Sequence, residues 1–244
     1  MNDYKRGIAI CHYERYTNLK MIVENLIAFP PSNRGNMQIV ICDDGSECDI
    51  RGLIKGQTAV VGPNRGVAFN KNRALKMLAD AHFICILEDD LIPIAPGWFD
   101  IYEDFVQLTA IQHLCRVQKL VDSKTPIFDK DMLEKGFTPM YGPKVRGDLT
   151  FITKNVVDTV GGFDTQFKGA GYAHVEWSNR VNNSGLIVHP NTWIDVKEAN
   201  DCFVQEGDTY GGRWKDIEET NKQIAANKLV YQNLKETIYK PITF

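Results

Sequence analysis

Two apolar runs that each end abruptly in carboxylates constrain this chain more than any other feature. Met37-Gln38-Ile39-Val40-Ile41-Cys42 runs into Asp43-Asp44-Gly45-Ser46, and His82-Phe83-Ile84-Cys85-Ile86-Leu87 runs into Glu88-Asp89-Asp90. Near-continuous apolar runs of this length read as strands buried on both faces of a parallel sheet. Ligands of such sheets collect outside the carboxyl ends of the strands. Two strands delivering acids to one edge predict a site for a cation, or for a ligand rich in hydroxyls and phosphates.

The rest of the pattern fits an α/β sheet. Strands are expected at 7–11, 37–42, 58–61 and 82–87, with helices at 16–29 and 67–79 between them. The first helix shows Leu19, Ile22, Val23, Leu26 and Ile27 at helical spacing. Strand–helix–strand order of this kind predicts right-handed crossovers and a mainly parallel sheet. Further helices are expected at 98–108, 155–160 and 174–183, and short strands at 186–188 and 192–196. Residues 119–145, rich in Pro, Gly and charge, read as an irregular insertion, and 206–212 as a Gly-rich segment; both are candidate lids. A polar helix at 216–238 closes the pattern. The expected organisation is one α/β domain over 1–204, with a C-terminal loop and helix, 205–244, packing on it.

Composition narrows the class. At 43% hydrophobic, the 244 residues can bury a proper core, which excludes a disordered chain. No apolar run approaches the ~20 residues of a membrane span, and residues 1–6 are polar, so a soluble, cytoplasmic protein without a transmembrane segment is expected. The net charge of -3 argues against broad electrostatic capture of nucleic acid. The six cysteines form no Cys-x-x-Cys pair and read as reduced thiols, several of them in the core.

Four constellations carry chemistry. Glu88-Asp89-Asp90 places three acids in a row, a repulsion that a hard divalent ion such as Mg2+ or Mn2+ would offset; a solvated strand cap is the alternative. Asp43-Asp44-Gly45-Ser46 offers a carboxylate to a base or ribose, or an ordinary Asx turn. Asn64-Arg65-Gly66 through Lys71-Asn72-Arg73 groups cations around a helix start, where backbone N–H groups favour phosphate; a solvated basic face is the alternative. Gly161-Gly162-Phe163-Asp164, followed by Gly169-Ala170-Gly171-Tyr172-Ala173-His174, brings glycine, aromatic and titratable groups together. His174 near a helix start reads as a neutral imidazole able to act as a general base, or as a half-buried helix residue. Glu176 and Arg180 read as an i,i+4 ion pair.

In this order the motifs resemble the inverting nucleotide-sugar glycosyltransferases of GT-A fold, the large family that includes chondroitin-type enzymes. Ile8-Ala9-Ile10-Cys11-His12-Tyr13-Glu14-Arg15 is similar to its first strand and loop, Ile41 to Ser46 to its Val-Asp-Asp-Gly-Ser signature, and Glu88-Asp89-Asp90 to its Asp-x-Asp metal motif. The resemblance covers about residues 7–188, with weaker similarity in the C-terminal helix, and implies a Rossmann-like central sheet flanked by helices. It implies that Cys11, Tyr13, Asp43, Asp44, Lys71 and Asp89 surround the nucleotide, with Tyr13 stacking on the base and Asp44 accepting from it. It implies that Asp90, with Glu88, holds Mn2+ or Mg2+, and that Trp98 and Trp177 border the acceptor. The partners implied are a nucleoside-diphosphate sugar, most often UDP-linked, and a glycan or other hydroxyl acceptor. The chain departs from the family at Ala173-His174, which stand where Glu-Asp is usual, so His174 is expected to replace the acidic base. His189 is a late histidine outside the expected metal set. Three alternatives stay open: a non-catalytic nucleotide- or glycan-binding module on the same fold, a nucleotidyltransferase, and the same chemistry on a modified base in nucleic acid.

Overall fold

The computed structural model describes residues 4–32, 37–52, 57–117, 129–142, 145–186, 193–206 and 217–235. Its centre is a six-stranded sheet built from β1 (Arg6–His12), β2 (Met37–Asp43), β3 (Thr58–Val61), β4 (Phe83–Glu88), β6 (His113–Val117) and β8 (Val145–Thr153). The strand order is β3-β2-β1-β4-β8-β6. The first four are mutually parallel, and β8 runs antiparallel to both β4 and β6. Two small ladders stand apart from it: β5 (Leu91–Pro93) pairs with β10 (Phe203–Gln205), and β7 (Pro139–Gly142) pairs with β9 (Trp193–Val196).

Side-chain alternation splits the core into two layers. Ile8 and Ile10 of β1, with Phe83, Cys85 and Leu87 of β4, face the first layer. There they meet α1 (Tyr16–Ala28) and α3 (Trp98–Thr109). Ala9 and Cys11, with Ile84 and Ile86, face the second. That layer is covered by α2 (Val67–Met77), α5 (Lys154–Val160) and α6 (Ala173–Asn183). Burial on both faces is why β1 and β4 read as unbroken apolar runs. Helix α8 (Ile217–Lys235) lays Val230, Tyr231 and Leu234 on the second layer.

The expected helices and strands that fall on described residues form close to their expected bounds, whereas β5, β6 and β10 were not expected and the strand expected at 186–188 lies almost wholly outside the described residues. Residues 119–145 are not uniformly irregular: α4 (Asp129–Glu134) and β7 form within them, and β8 already begins at Val145. Residues 118–128 and 143–144 lie outside the described residues, as do 187–192, which hold His189, and 207–216. The lid expected at 206–212 therefore falls largely there, and the one expected at 119–145 in part. A further short helix, α7 (Lys197–Asn200), follows β9. Among the described residues no helix is long and apolar enough to cross a membrane.

One buried acid ties this architecture to pH. Asp195 of β9 is 1% exposed; Tyr102 Oη and the Val196 N–H both donate to its Oδ1 at 2.8 Å, while Oδ2 lacks a hydrogen-bond partner among the described residues. Burial raises its carboxyl to about 7. A carboxyl raised above its unfolded value stabilises the fold fully below that value and loses the contribution as pH climbs through the folded one. Relative to Asp195→Asn, wild-type unfolding free energy is therefore expected to fall by up to about 4 kcal/mol between pH 4 and 7. Urea unfolding of both proteins across that window checks this; parallel pH profiles would contradict it.

Candidate active site

Strand register sets the site. Cys11 lies beside both Cys42 and Glu88, and His12 lies beside Asp43. The carboxyl ends of β1, β2 and β4 thus finish level with one another, and their acids share one rim. A cleft opens on that rim, lined by Cys11, His12, Tyr13, Asp44, Glu88 and Asp89, with Gly66, Asn70, Gly169 and Gln223 among the facing residues.

Each acid is held differently. Asp43 is fully buried; its Oδ2 accepts the Ser46 N–H at 3.0 Å and its Oδ1 the Ser46 hydroxyl, which is the Asx turn open in the sequence. Asp44 instead reaches the first turn of α2, where the Arg65 and Gly66 N–H groups donate to its two oxygens at 3.0 and 2.8 Å. Burial raises its pKa, and those two N–H groups pull the other way. Gly66 takes φ +91°, and a Cβ there would meet the Gly169 nitrogen at 2.9 Å, so only glycine fits this junction.

The three consecutive acids are met by side-chain cations. Glu88 pairs with Lys71 at 3.1 Å, and the Lys71 Nζ also donates to the Gly147 carbonyl at 2.6 Å. Asp89 accepts the Tyr13 N–H at 2.8 Å and lies 3.1 Å from His12 Nδ1. Arg15 Nη1 sits 3.6 Å from Asp89 Oδ1 and 3.4 Å from Asp90 Oδ2. The repulsion invoked from sequence as a reason for a bound ion is thus offset, at least in part, by the protein's own cations. Carboxylate oxygens at Glu88 and Asp90 have the right hardness for Mg2+ or Mn2+. Among the described residues, however, no group of three His, Cys, Asp or Glu is placed to hold a metal ion. The donor set therefore fits a cation that takes the rest of its coordination from phosphate oxygens and water, as Mg2+ commonly does.

His174 lies in the first turn of α6, next to the same cluster. A Cβ on Gly147 would come within 2.7 Å of His174 Nδ1, so the imidazole rests on the residue whose carbonyl receives Lys71. Glu176 and Arg180 form the expected pair at 2.6 Å, and Arg180 also donates to the Val160 and Gly162 carbonyls. The Gly161-Gly162-Phe163 turn is fastened to α2 by Asn72, whose side chain bonds both the N–H and the carbonyl of Phe163.

Tyr13 is 37% exposed on the cleft, and Cys11 lines it with burial raising its thiol well above the ordinary range. Trp98 and Trp177 are placed differently from what the sequence implied. Trp98 is 1% exposed and packs on Phe203; Trp177 is fully buried, stacks on Phe163 and donates its indole N–H to the Gly161 carbonyl. Both are core residues and neither lines the cleft. Residues the sequence reading passed over include His12, whose Nε2 lies 4.0 Å from Asp43 while Nδ1 faces Asp89, together with Arg15, Gly147 and the α8 residues Thr220 and Gln223. The available signal for His12 and Arg15 was their place just after β1, level with the acids.

No protein-family model matches this sequence, and no curated protein does. Solved structures do match. GalNAc-T7 with UDP, GalNAc and Mn2+ superposes with a TM-score of 0.70 at 14% identity, over 95% of this chain and 48% of that one. The mannosyltransferase PcManGT of Pyrobaculum calidifontis, with GDP-mannose and Mn2+, gives 0.63 at 14% identity, over 97% of this chain and 66% of that one. This chain thus spans about half of the first protein and two thirds of the second. The resemblance read from the motifs and the architecture agree: the chain has the GT-A fold of these nucleotide-sugar glycosyltransferases.

Proposed function

We propose that the protein is a glycosyltransferase that moves a sugar from a nucleoside-diphosphate donor to an acceptor hydroxyl with inversion. The observation that carries this reading is the convergence of Asp44, Glu88 and Asp89 on one cleft at the carboxyl edge of a GT-A sheet. Tyr13 supplies a ring to stack on the base, and Asp44 supplies acceptor oxygens for a base N–H. Lys71 holds Glu88 in place. Glu88 and Asp90 would hold a divalent cation together with the donor's phosphates; when bound, it offsets charge developing on the leaving diphosphate. His174 takes the acceptor hydroxyl's proton as that oxygen bonds to the anomeric carbon and the nucleoside diphosphate departs. Proper placement of the two substrates supplies much of the rate.

The test is release of nucleoside diphosphate from UDP- and GDP-sugars, measured with and without Mn2+. Because the described residues offer no three-ligand cage, Mn2+ by itself is expected to leave the melting temperature unchanged. Mn2+ with a matching nucleoside diphosphate at a hundredfold excess over Kd is expected to add about 2.7 kcal/mol, a shift of about 5–11 °C. A wild-type protein that neither binds nor turns over any nucleotide sugar overturns the reading. A large shift with Mn2+ alone overturns the shared-site account of the cation.

A further inference from the structure

The resemblance assigns no nucleotide contact to helix α8, yet this helix reaches the cleft. Thr220 and Gln223 line it, opposite Cys11, Tyr13 and Asp44. The helix is fixed there by Asn227, one turn beyond Gln223 and 3% exposed. The Asn227 amide donates to the carbonyls of Lys168 and Ala170 at 2.7 and 2.8 Å, and its oxygen accepts the Lys168 N–H at 3.2 Å. That turn, 168–171, touches α8 on one side and the start of α2 on the other. A Cβ on Gly169 would fall 1.9 Å from Gln223 Oε1, and one on Gly66 would fall 2.9 Å from the Gly169 nitrogen. Glycine at both junctions lets three segments pack in series around one opening. Their order runs from the helix start that holds Asp44, through the turn, to Gln223.

We infer that α8 is a nucleoside-reading wall of the donor site, with Gln223 and Thr220 contacting the donor and Asn227 positioning them. The inference rests on the proposed donor chemistry and adds a specificity element to it. Asp44, Glu88 and Asp89 present only acceptors when ionised, so they read only donors on a ligand. A nucleoside also carries carbonyl and hydroxyl acceptors that those acids cannot satisfy. Gln223 offers an amide N–H and a carbonyl oxygen, and Thr220 a hydroxyl that gives and accepts. The wall therefore adds groups that both donate and accept to those that Arg15, Asn64 and Asn70 bring to the same cleft.

The experiment is calorimetric titration of wild type, Gln223→Ala, Thr220→Val and Asn227→Ala with UDP, with GDP and with inorganic pyrophosphate, each in Mn2+. Gln223→Ala is expected to weaken the preferred nucleoside diphosphate about tenfold, the loss of one good hydrogen bond. Pyrophosphate, which has no nucleoside, is expected to bind all four proteins alike. Asn227→Ala is expected to weaken the nucleotide similarly while also lowering the melting temperature, since it unfastens the turn. Gln223 is half-exposed, so its truncation leaves the core intact. If wild type binds a nucleoside diphosphate and both Gln223→Ala and Thr220→Val bind it equally well, the inference about α8 is overturned and the donor reading stands. Equal weakening of pyrophosphate and nucleotide also overturns it, because the wall would then act on phosphate. If wild type binds none of the nucleotides, the donor reading fails first.

Discussion

Lys71→Met is expected to lower the free energy of unfolding by about 3–5 kcal/mol and to abolish turnover. The ammonium is fully buried, 3.1 Å from Glu88 and 2.6 Å from the Gly147 carbonyl, with the Phe163 ring 5.5 Å away. Methionine fills the volume but takes the ammonium away from Glu88, a carboxylate that is 9% exposed. Removing one partner of a buried pair costs more than the pair itself contributes, because the other charge is left desolvated. The double variant Lys71→Met/Glu88→Gln is therefore expected to recover much of the lost stability while remaining inactive. Denaturant unfolding of the two single variants and the double variant gives the coupling between the residues. A loss below about 1 kcal/mol for Lys71→Met, within the range of an exposed pair, would show that water solvates Glu88 and that the pair is not part of a dry floor.

His174→Ala is expected to cut turnover by about 10²–10⁴-fold, the usual contribution of a positioned general base. Donor affinity should stay near the wild-type value, because His174 stands against Gly147 and not among the residues lining the nucleoside side of the cleft. The conservative rescue is His174→Asp, which installs the acid that the resembling family carries at this place. Recovery of part of the rate by aspartate but not by asparagine would identify proton transfer as the role. Should His174→Ala keep turnover within about threefold of wild type, far below the effect of a lost general base, the proton must leave by another route.

The sheet was legible because burial on two faces leaves a strong mark. β1, β2 and β4 are apolar almost throughout, and each stops at residues that cannot continue a dry strand. Their common rim followed from that pattern, and register confirms it through Cys11, Cys42 and Glu88. Elements that depend on distant partners were not legible. β5 has three residues and a proline, and becomes a strand only because Phe203 to Gln205 arrive more than a hundred residues later. β6 contains His113, which a pattern reader treats as polar, yet the ring is buried enough to push its pKa down to about 3 and it packs edge-on against Trp177. The same limit explains the tryptophans: an aromatic beside a Gly-rich turn reads equally well as a ligand platform or as core, and Phe163 and Phe203 settle it by covering Trp177 and Trp98. At the site, acids were visible as a cluster, while the pairing of basic side chains with them was not. Arg15 and Lys71 come from two separate segments, and only the folded chain brings them to the acids.

The reversed direction of β8 divides the rim by origin. The acids from Asp43 to Asp90 are contributed within the first ninety residues, just where strands finish, while Gly169, Thr220 and Gln223 of the same cleft come from later segments. Gly147 and Asp148 come from where a later strand starts, and the Gly147 carbonyl meets Lys71 beside Glu88. β7 is tied to the rest of the fold through its pairing with β9 and the buried Tyr141. The start of β8 is different: exchanging residues 145–148 alters what meets Lys71 without rethreading any of the four parallel strands whose ends carry the acids.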